Sequence, residues 1–206
     1  MIVVVDCGIS NLGSVVNIVK KATGSPPVVS SRPDLIVDAS KLILPGVGAF
    51  DHGMRRLREA GIEAALTEAV LVRRTPLLGI CLGMQMLTAG SEEGSEPGLG
   101  WVRARTVRFG SATQEWTLRV PHMGWNIVRA VRETPLFVEM YAEPRFYFVH
   151  SYHVVCDDPQ LACAVARYGY DFVCAVQQGN IYGVQFHPEK SHKFGLKLLR
   201  NFLSKA

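Results

Sequence analysis

Cys81 stands in the run Gly79-Ile80-Cys81-Leu82-Gly83, between an apolar stretch and a segment of helical spacing. A thiol on a tight strand-to-helix turn is the arrangement of a nucleophile elbow. The flanking glycines suit a turn too close for side chains. A helix start favours thiolate through its dipole, and the backbone N–H of Leu82 would point at the space where an oxyanion forms. The plainer alternative is a small buried cysteine filling a strand–helix corner. A nucleophilic thiol needs a base, and the base needs an orienter. His187-Pro188-Glu189 offers both, because residues two apart in an extended chain face one side and Glu189 can then fix the His187 ring. His52, His122, His150, His153 and His192 have no carboxylate two residues on. The chain order Cys, His, Glu differs from most α/β-hydrolases, where the acid precedes the histidine. A third element is Pro45-Gly46-Val47-Gly48. Two glycines around one residue leave a mobile peptide whose N–H can reach an anion. Gln85 lies one helical turn after Cys81 on the same face, placed to hold a polar substrate or to be a plain surface glutamine.

These residues need a scaffold that brings strand ends together. Ile2–Val5 reads as a buried strand, Leu12–Thr23 as a helix stopped by Gly24, and Val28–Ser30 and Lys41–Leu44 as strands, the last cut by Pro45. Met54–Arg73 reads as a helix broken near Gly61, Leu77–Ile80 as a strand, and Leu82–Ala89 as a helix. This rhythm predicts an α/β fold with a mostly parallel open sheet and helices on both faces. In such sheets ligands bind past the carboxyl ends of the strands. Gly46–Gly48 and Cys81 follow such ends, so separate segments converge on one rim. The second half predicts additional antiparallel strands at Trp101–Phe109, Leu118–Val128, Arg145–Val155, Leu161–Tyr168, Phe172–Gln178 and Ile181–Phe186. A closing helix is expected over Ser191–Ser204, with Ser191 as its N-cap. No composition shift marks a boundary, so 1–206 is expected to form a single domain.

The totals exclude several classes. With 206 residues, 48% hydrophobic and 19% charged, the chain is neither disordered nor low-complexity. The net charge of +4 comes from scattered cations, and no nucleic-acid motif accompanies it. Five cysteines without C-x-x-C spacing argue against a zinc site or disulfide framework and point to a reducing, cytoplasmic compartment. No apolar run approaches a membrane span or a signal peptide. No metal or cofactor is expected.

Together Gly79-Ile80-Cys81-Leu82-Gly83-Met84-Gln85, His187-Pro188-Glu189 and Pro45-Gly46-Val47-Gly48 resemble the class I (triad) glutamine amidotransferases. Asp6-Cys7-Gly8, Ser91-Glu92-Glu93, Gly98-Leu99-Gly100, Pro121-His122-Met123-Gly124-Trp125-Asn126 and Tyr147-Phe148-Val149-His150-Ser151-Tyr152 narrow the resemblance to the glutaminase subunits of imidazole glycerol phosphate synthases. The resemblance implies a flavodoxin-like amidotransferase fold and glutamine hydrolysis to glutamate and ammonia, with Cys81 as nucleophile, His187 as acid and base, and Glu189 as orienter. It implies an oxyanion site of N–H groups around Val47, Gly48 and Leu82, with a peptide that must turn before it faces the site. It places glutamine against Gly48, Gln85, Ser151 and Tyr152. It also implies a heterodimer with a separate (β/α)₈-barrel cyclase of histidine biosynthesis, since 206 residues leave no room for a barrel. Asn11, Trp125, Tyr147 and Lys190 match the docking face. A core position is the other reading of Trp125. Competing readings are a pyridoxal phosphate synthase glutaminase, a γ-glutamyl hydrolase, or a regulatory subunit without catalysis.

Overall fold

Runs of β-branched residues with no polar face can only be satisfied inside a sheet covered on both sides. Ile2–Val5 (β1) is such a run, and in the computed structural model, which describes residues 1–110 and 118–206, it sits between two parallel neighbours. These are Val28–Ser30 (β2) and Lys41–Gly46 (β3), and β3 pairs in parallel with Leu77–Cys81 (β4). Ile181–Val184 (β11) completes the parallel half against β4. The other half is antiparallel. It holds Ala104–Arg108 (β5), His122–Ala130 (β6), Arg145–His150 (β7), Tyr152–Cys156 (β8), Ala162–Tyr168 (β9) and Tyr170–Gln178 (β10). Among the described residues, the eleven strands form one mixed sheet.

Helices cover both faces. Leu12–Thr23 (α1) and His192–Lys205 (α6) bury Val15, Val19, Leu198, Leu199 and Phe202 on one side. Pro33–Val37 (α2), Phe50–Glu59 (α3), Glu63–Thr67 (α4) and Leu82–Met86 (α5) pack Ile36, Phe50, Met54, Leu66 and Met86 on the other. The expected class and layering hold, and β1, α1 and β2 have the expected bounds.

Several elements differ from expectation. β3 runs through Pro45, which pairs with Ile80. The pairing of β3 with β1 stops at Ile43, so the missing N–H of Pro45 removes no ladder bond on that side. The expected helix from Met54 starts earlier, at Phe50, and breaks at Gly61, whose φ is +66°. The single strand expected over residues 145–155 is two, parted at Ser151. Ser191 does not cap α6 with its side chain. Its hydroxyl donates to His187 O at 2.6 Å and accepts from Tyr147 N at 3.0 Å.

Candidate active site

Cys81 ends β4 in the left-handed region, at φ +55° and ψ −111°, and α5 begins at the next residue. Non-glycine residues rarely hold such a conformation, and its strain presents the thiol at the carboxyl-end rim of the sheet. The glycines on either side make the turn fit. A Cβ on Gly79 would lie 2.8 Å from Gly83 O, and one on Gly83 only 1.9 Å from Leu44 O. The N–H of Leu82 heads α5 and has no acceptor within the helix.

His187 follows β11, the parallel neighbour of β4, and is 2% exposed. Its Nδ1 meets Glu189 Oε1 at 2.7 Å. The pair does not close along an extended chain as the sequence suggests; a 3₁₀ turn over Pro188–Lys190 folds the carboxylate back onto the ring. His187 Nε2 is buried and makes no hydrogen bond, which leaves it free toward Cys81. Burial opposes charge on the ring. The pull of Cys81 and Glu189 outweighs it and raises the His187 pKa to about 10, although the Cys81 contact falls short of hydrogen-bond geometry. The other thiols have no such partner. Burial pushes Cys7 up to about 12 and Cys156 and Cys163 to about 11. All five cysteines are free.

A cavity of about 330 Å³ opens over the thiol, lined by Val47, Gly48, Cys81, Leu82, Gln85, Glu93, Pro121, Val149, His150, Ser151, Tyr152 and His187. A larger groove of about 490 Å³ runs between α1 and α6; it touches Glu189 but neither Cys81 nor His187, so the chemistry selects the smaller one. Every residue proposed from the sequence for oxyanion or substrate contact lies in that cavity. The Val47 N–H, however, is donated to Ile9 O at 2.9 Å, turned away toward the loop after β1. Gly48 has φ +98° and open space around it, so glycine is required there by backbone conformation rather than crowding. Gln85 spends both amide hydrogens inside the protein, on Tyr152 O at 3.2 Å and Gln185 Oε1 at 3.1 Å, leaving its own oxygen for a ligand.

Three residues of the site carried no role in the sequence reading. Glu93 is the one carboxylate lining the cavity among the described residues, and its Oε2 accepts from Phe50 N at 2.9 Å. Its signal was the acidic Ser91-Glu92-Glu93 segment. Gln185, two residues before His187, reaches Cys81 Sγ at 3.7 Å. His150 lies in the cavity wall and pairs with His122 at 2.9 Å.

Burial lowers His122 to about 4 and His150 to about 3 from an ordinary 6.5. The unfolded chain therefore binds more protons than the native one below pH 6.5, and stability falls as pH drops. His187, raised instead, already contributes fully below 6.5. Urea midpoints should show a loss of about 2 kcal/mol or more between pH 6.5 and 5, above the carboxylate range. A flat profile would mean that the two rings are charged or wet.

The expected docking residues lie outside the cavity. Trp125 is 48% exposed, so it is a surface residue rather than a core one. Its ring stacks on His192 at 5.3 Å and meets Tyr147 edge-on at 6.2 Å, while Lys190 Nζ sits 5.6 Å over Tyr147. Met123 and Ile127, alternate residues of β6, are exposed on either side of Trp125 and extend an apolar stripe. Asn11 is exposed at the head of α1, and α1 packs against the Pro188–Lys190 turn. The backbone of Tyr147 accepts from His187 N at 2.9 Å, so the patch and the active site share a hydrogen bond.

The family described as glutamine amidotransferase class-I matches residues 3–206. Imidazole glycerol phosphate synthase subunit HisH 2 of Methanococcus maripaludis is 48% identical over 206 residues, covering 100% of both chains. The protein of the same name from Pseudomonas aeruginosa is 49% identical over 203 residues, 98% of each. Among solved structures, the glutaminase domain of CTPS from Trypanosoma brucei matches with a TM-score of 0.64 at 16% identity, covering 100% of this chain and 94% of that one. A glutamine amidotransferase of Thermotoga maritima matches with a TM-score of 0.65 at 17% identity, covering 98% and 95%; at such identities these two bear on the fold alone. The chain belongs to the class I glutamine amidotransferases.

Proposed function

We propose that this chain is the glutaminase subunit of an imidazole glycerol phosphate synthase, with residues 1–206 acting as one cytoplasmic amidotransferase domain. The observation that carries the chemistry is the elbow thiol of Cys81 sharing a cavity with His187, itself held by Glu189 at 2.7 Å. Cys81 gives its proton to His187 and attacks the side-chain amide carbon of L-glutamine. The tetrahedral oxyanion is held by the Leu82 N–H and by the Val47–Gly48 segment. His187 protonates the departing nitrogen, and ammonia leaves. The thioester that remains is attacked by water, His187 takes the water's proton, and the thiol returns as glutamate departs. Gln85, Gly48, Ser151 and Tyr152 line the substrate. Glu93 is the counter-charge for its α-ammonium. Glu93→Gln should raise KM for glutamine about 10- to 100-fold with a smaller change in kcat, measured by glutamate release. An unchanged KM would remove Glu93 from the substrate site.

Ammonia released to water would be protonated and lose its nucleophilicity. A separate (β/α)₈-barrel cyclase docked over Trp125, Tyr147, Lys190 and Asn11 would receive it and complete the heterodimer of histidine biosynthesis. The exposed Met123–Ile127 stripe supports a docking face here. Trp125→Ala should weaken the partner's Kd about 30-fold and leave the melting temperature within a few degrees. An unchanged Kd with a large drop in melting temperature would place its role in folding.

The resting hydrogen bond from Val47 N to Ile9 O leaves the oxyanion site short of a donor. Glutamate release should therefore be weak for the chain alone and strong with the cyclase and its nucleotide ligand. Full activity alone would favour a free-standing hydrolase. No helix among the described residues is long and apolar enough to cross a membrane.

A further inference from the structure

Gln185 is fully buried, and its position follows from register. β11 pairs with β4 through Gly183↔Gly79 and Val184↔Ile80, so Gln185 falls beside Cys81 as the next residue along. Gln185 Nε2 lies 3.7 Å from Cys81 Sγ, and Gln185 Oε1 accepts from Gln85 Nε2 at 3.1 Å. The second Gln85 hydrogen goes to Tyr152 O at 3.2 Å, and that carbonyl also accepts from His150 Nδ1 at 2.7 Å. His150 Nε2 faces His122 Nδ1 at 2.9 Å, and His122 Nε2 faces Asn126 Nδ2 at 3.2 Å. Asn126 Nδ2 donates in addition to Arg167 O at 2.9 Å.

One atom fixes the sense of the whole chain. A carbonyl only accepts, so Tyr152 O requires hydrogen on His150 Nδ1 and on the facing Gln85 nitrogen. His150 Nε2 is then an acceptor, His122 Nδ1 must carry hydrogen, and His122 Nε2 accepts from Asn126. On the other side, Gln85 presents its remaining hydrogen to Gln185. A flipped Gln185 would set nitrogen against nitrogen, so its oxygen must face Gln85 and its N–H must face the sulfur. Both rings must be neutral for the order to hold.

We propose that Gln185 is a positioning residue for the Cys81 thiol, and that the Tyr152 carbonyl, acting through Gln85, fixes which edge of Gln185 meets the sulfur. An N–H aimed at sulfur is a stronger hydrogen bond to thiolate than to thiol, because the acceptor is then charged. Gln185 therefore favours the attacking form of Cys81 and fixes its position in the cavity wall. The inference rests on the amidotransferase reading only for what the thiol attacks, not for how it is held.

The test is alkylation of the full chain by iodoacetamide across pH 5 to 10, with Cys81 modification read by peptide mass. Gln185→Leu and Gln185→Met both lose the amide donor and add no charge, and Met also keeps the length. Both should move the half-point of the Cys81 profile upward by about one pH unit. The rate near neutral pH should fall roughly three- to tenfold, since a less acidic thiol is also a better nucleophile. A half-point unmoved in the folded Gln185 variants overturns the proposal. Near-UV circular dichroism shows which variants are folded, and either Gln185 variant suffices. Iodoacetamide needs no glutamine site, so a shifted profile in a chain that hydrolyses no glutamine would sink the functional reading and leave this one standing.

Discussion

Cys81→Ala should reduce glutamine hydrolysis by about 10⁴-fold or more and leave the partner's ammonium-driven synthesis at its full rate. The first half follows from covalent catalysis. Without the sulfur there is no thioester, and His187 is left with only water to activate. The second half follows from placement. Removing one atom from a residue 8% exposed at a cavity wall leaves the elbow, the cavity and the docking patch in place. Glutamate release and synthesis with ammonium chloride, measured on one preparation, separate the two halves. Loss of both would make Cys81 structural. Retained glutamate release would move the nucleophile elsewhere.

Gly83→Ala should cost at least about 3 kcal/mol of stability, or roughly 10 °C in melting temperature for a chain this long. The added Cβ would lie 1.9 Å from Leu44 O and 3.0 Å from Leu44 C. Leu44 is backbone of β3, hydrogen-bonded against β4 in the middle of the sheet, so neither side can yield without breaking ladder bonds. Gly90→Ala is the control, since nothing lies within 4 Å of its added Cβ. Equal melting temperatures for the two variants would show that the elbow relaxes more easily than its geometry implies.

What the sequence disclosed depended on how local each signal was. The elbow pentapeptide and the His-x-Glu pair are short patterns complete within a few residues, so the residues that gather around Cys81 could be proposed from the sequence. β1, α1 and β2 were legible to their ends because an apolar run or a glycine closes each of them. The Arg145 segment was not, because nothing but Ser151 marks its break. α2 was missed because its five residues are too short for a period to show. Gln185 was invisible for another reason. Alternation tells which face a residue takes but not what stands opposite, and its partners Gln85 and Cys81 lie 100 and 104 residues away. The His122–His150 pair has the same origin, being joined only when β6 and β7 align.

The parallel ladder between β4 and β11 has a consequence for how the molecule comes apart. Cys81 and His187 meet only because Gly183 stands opposite Gly79 and Val184 opposite Ile80. A slip of one residue would send every side chain of β11 to the other face and separate base from nucleophile. Partially ordered states with native-like helices but loose strand pairing would therefore hold both residues and have no site. Catalysis is then a property of the last structure to dissolve. In hydrogen-exchange terms, the amides of β4 and β11 should fall in the slowest class, and activity should vanish together with their protection rather than ahead of it.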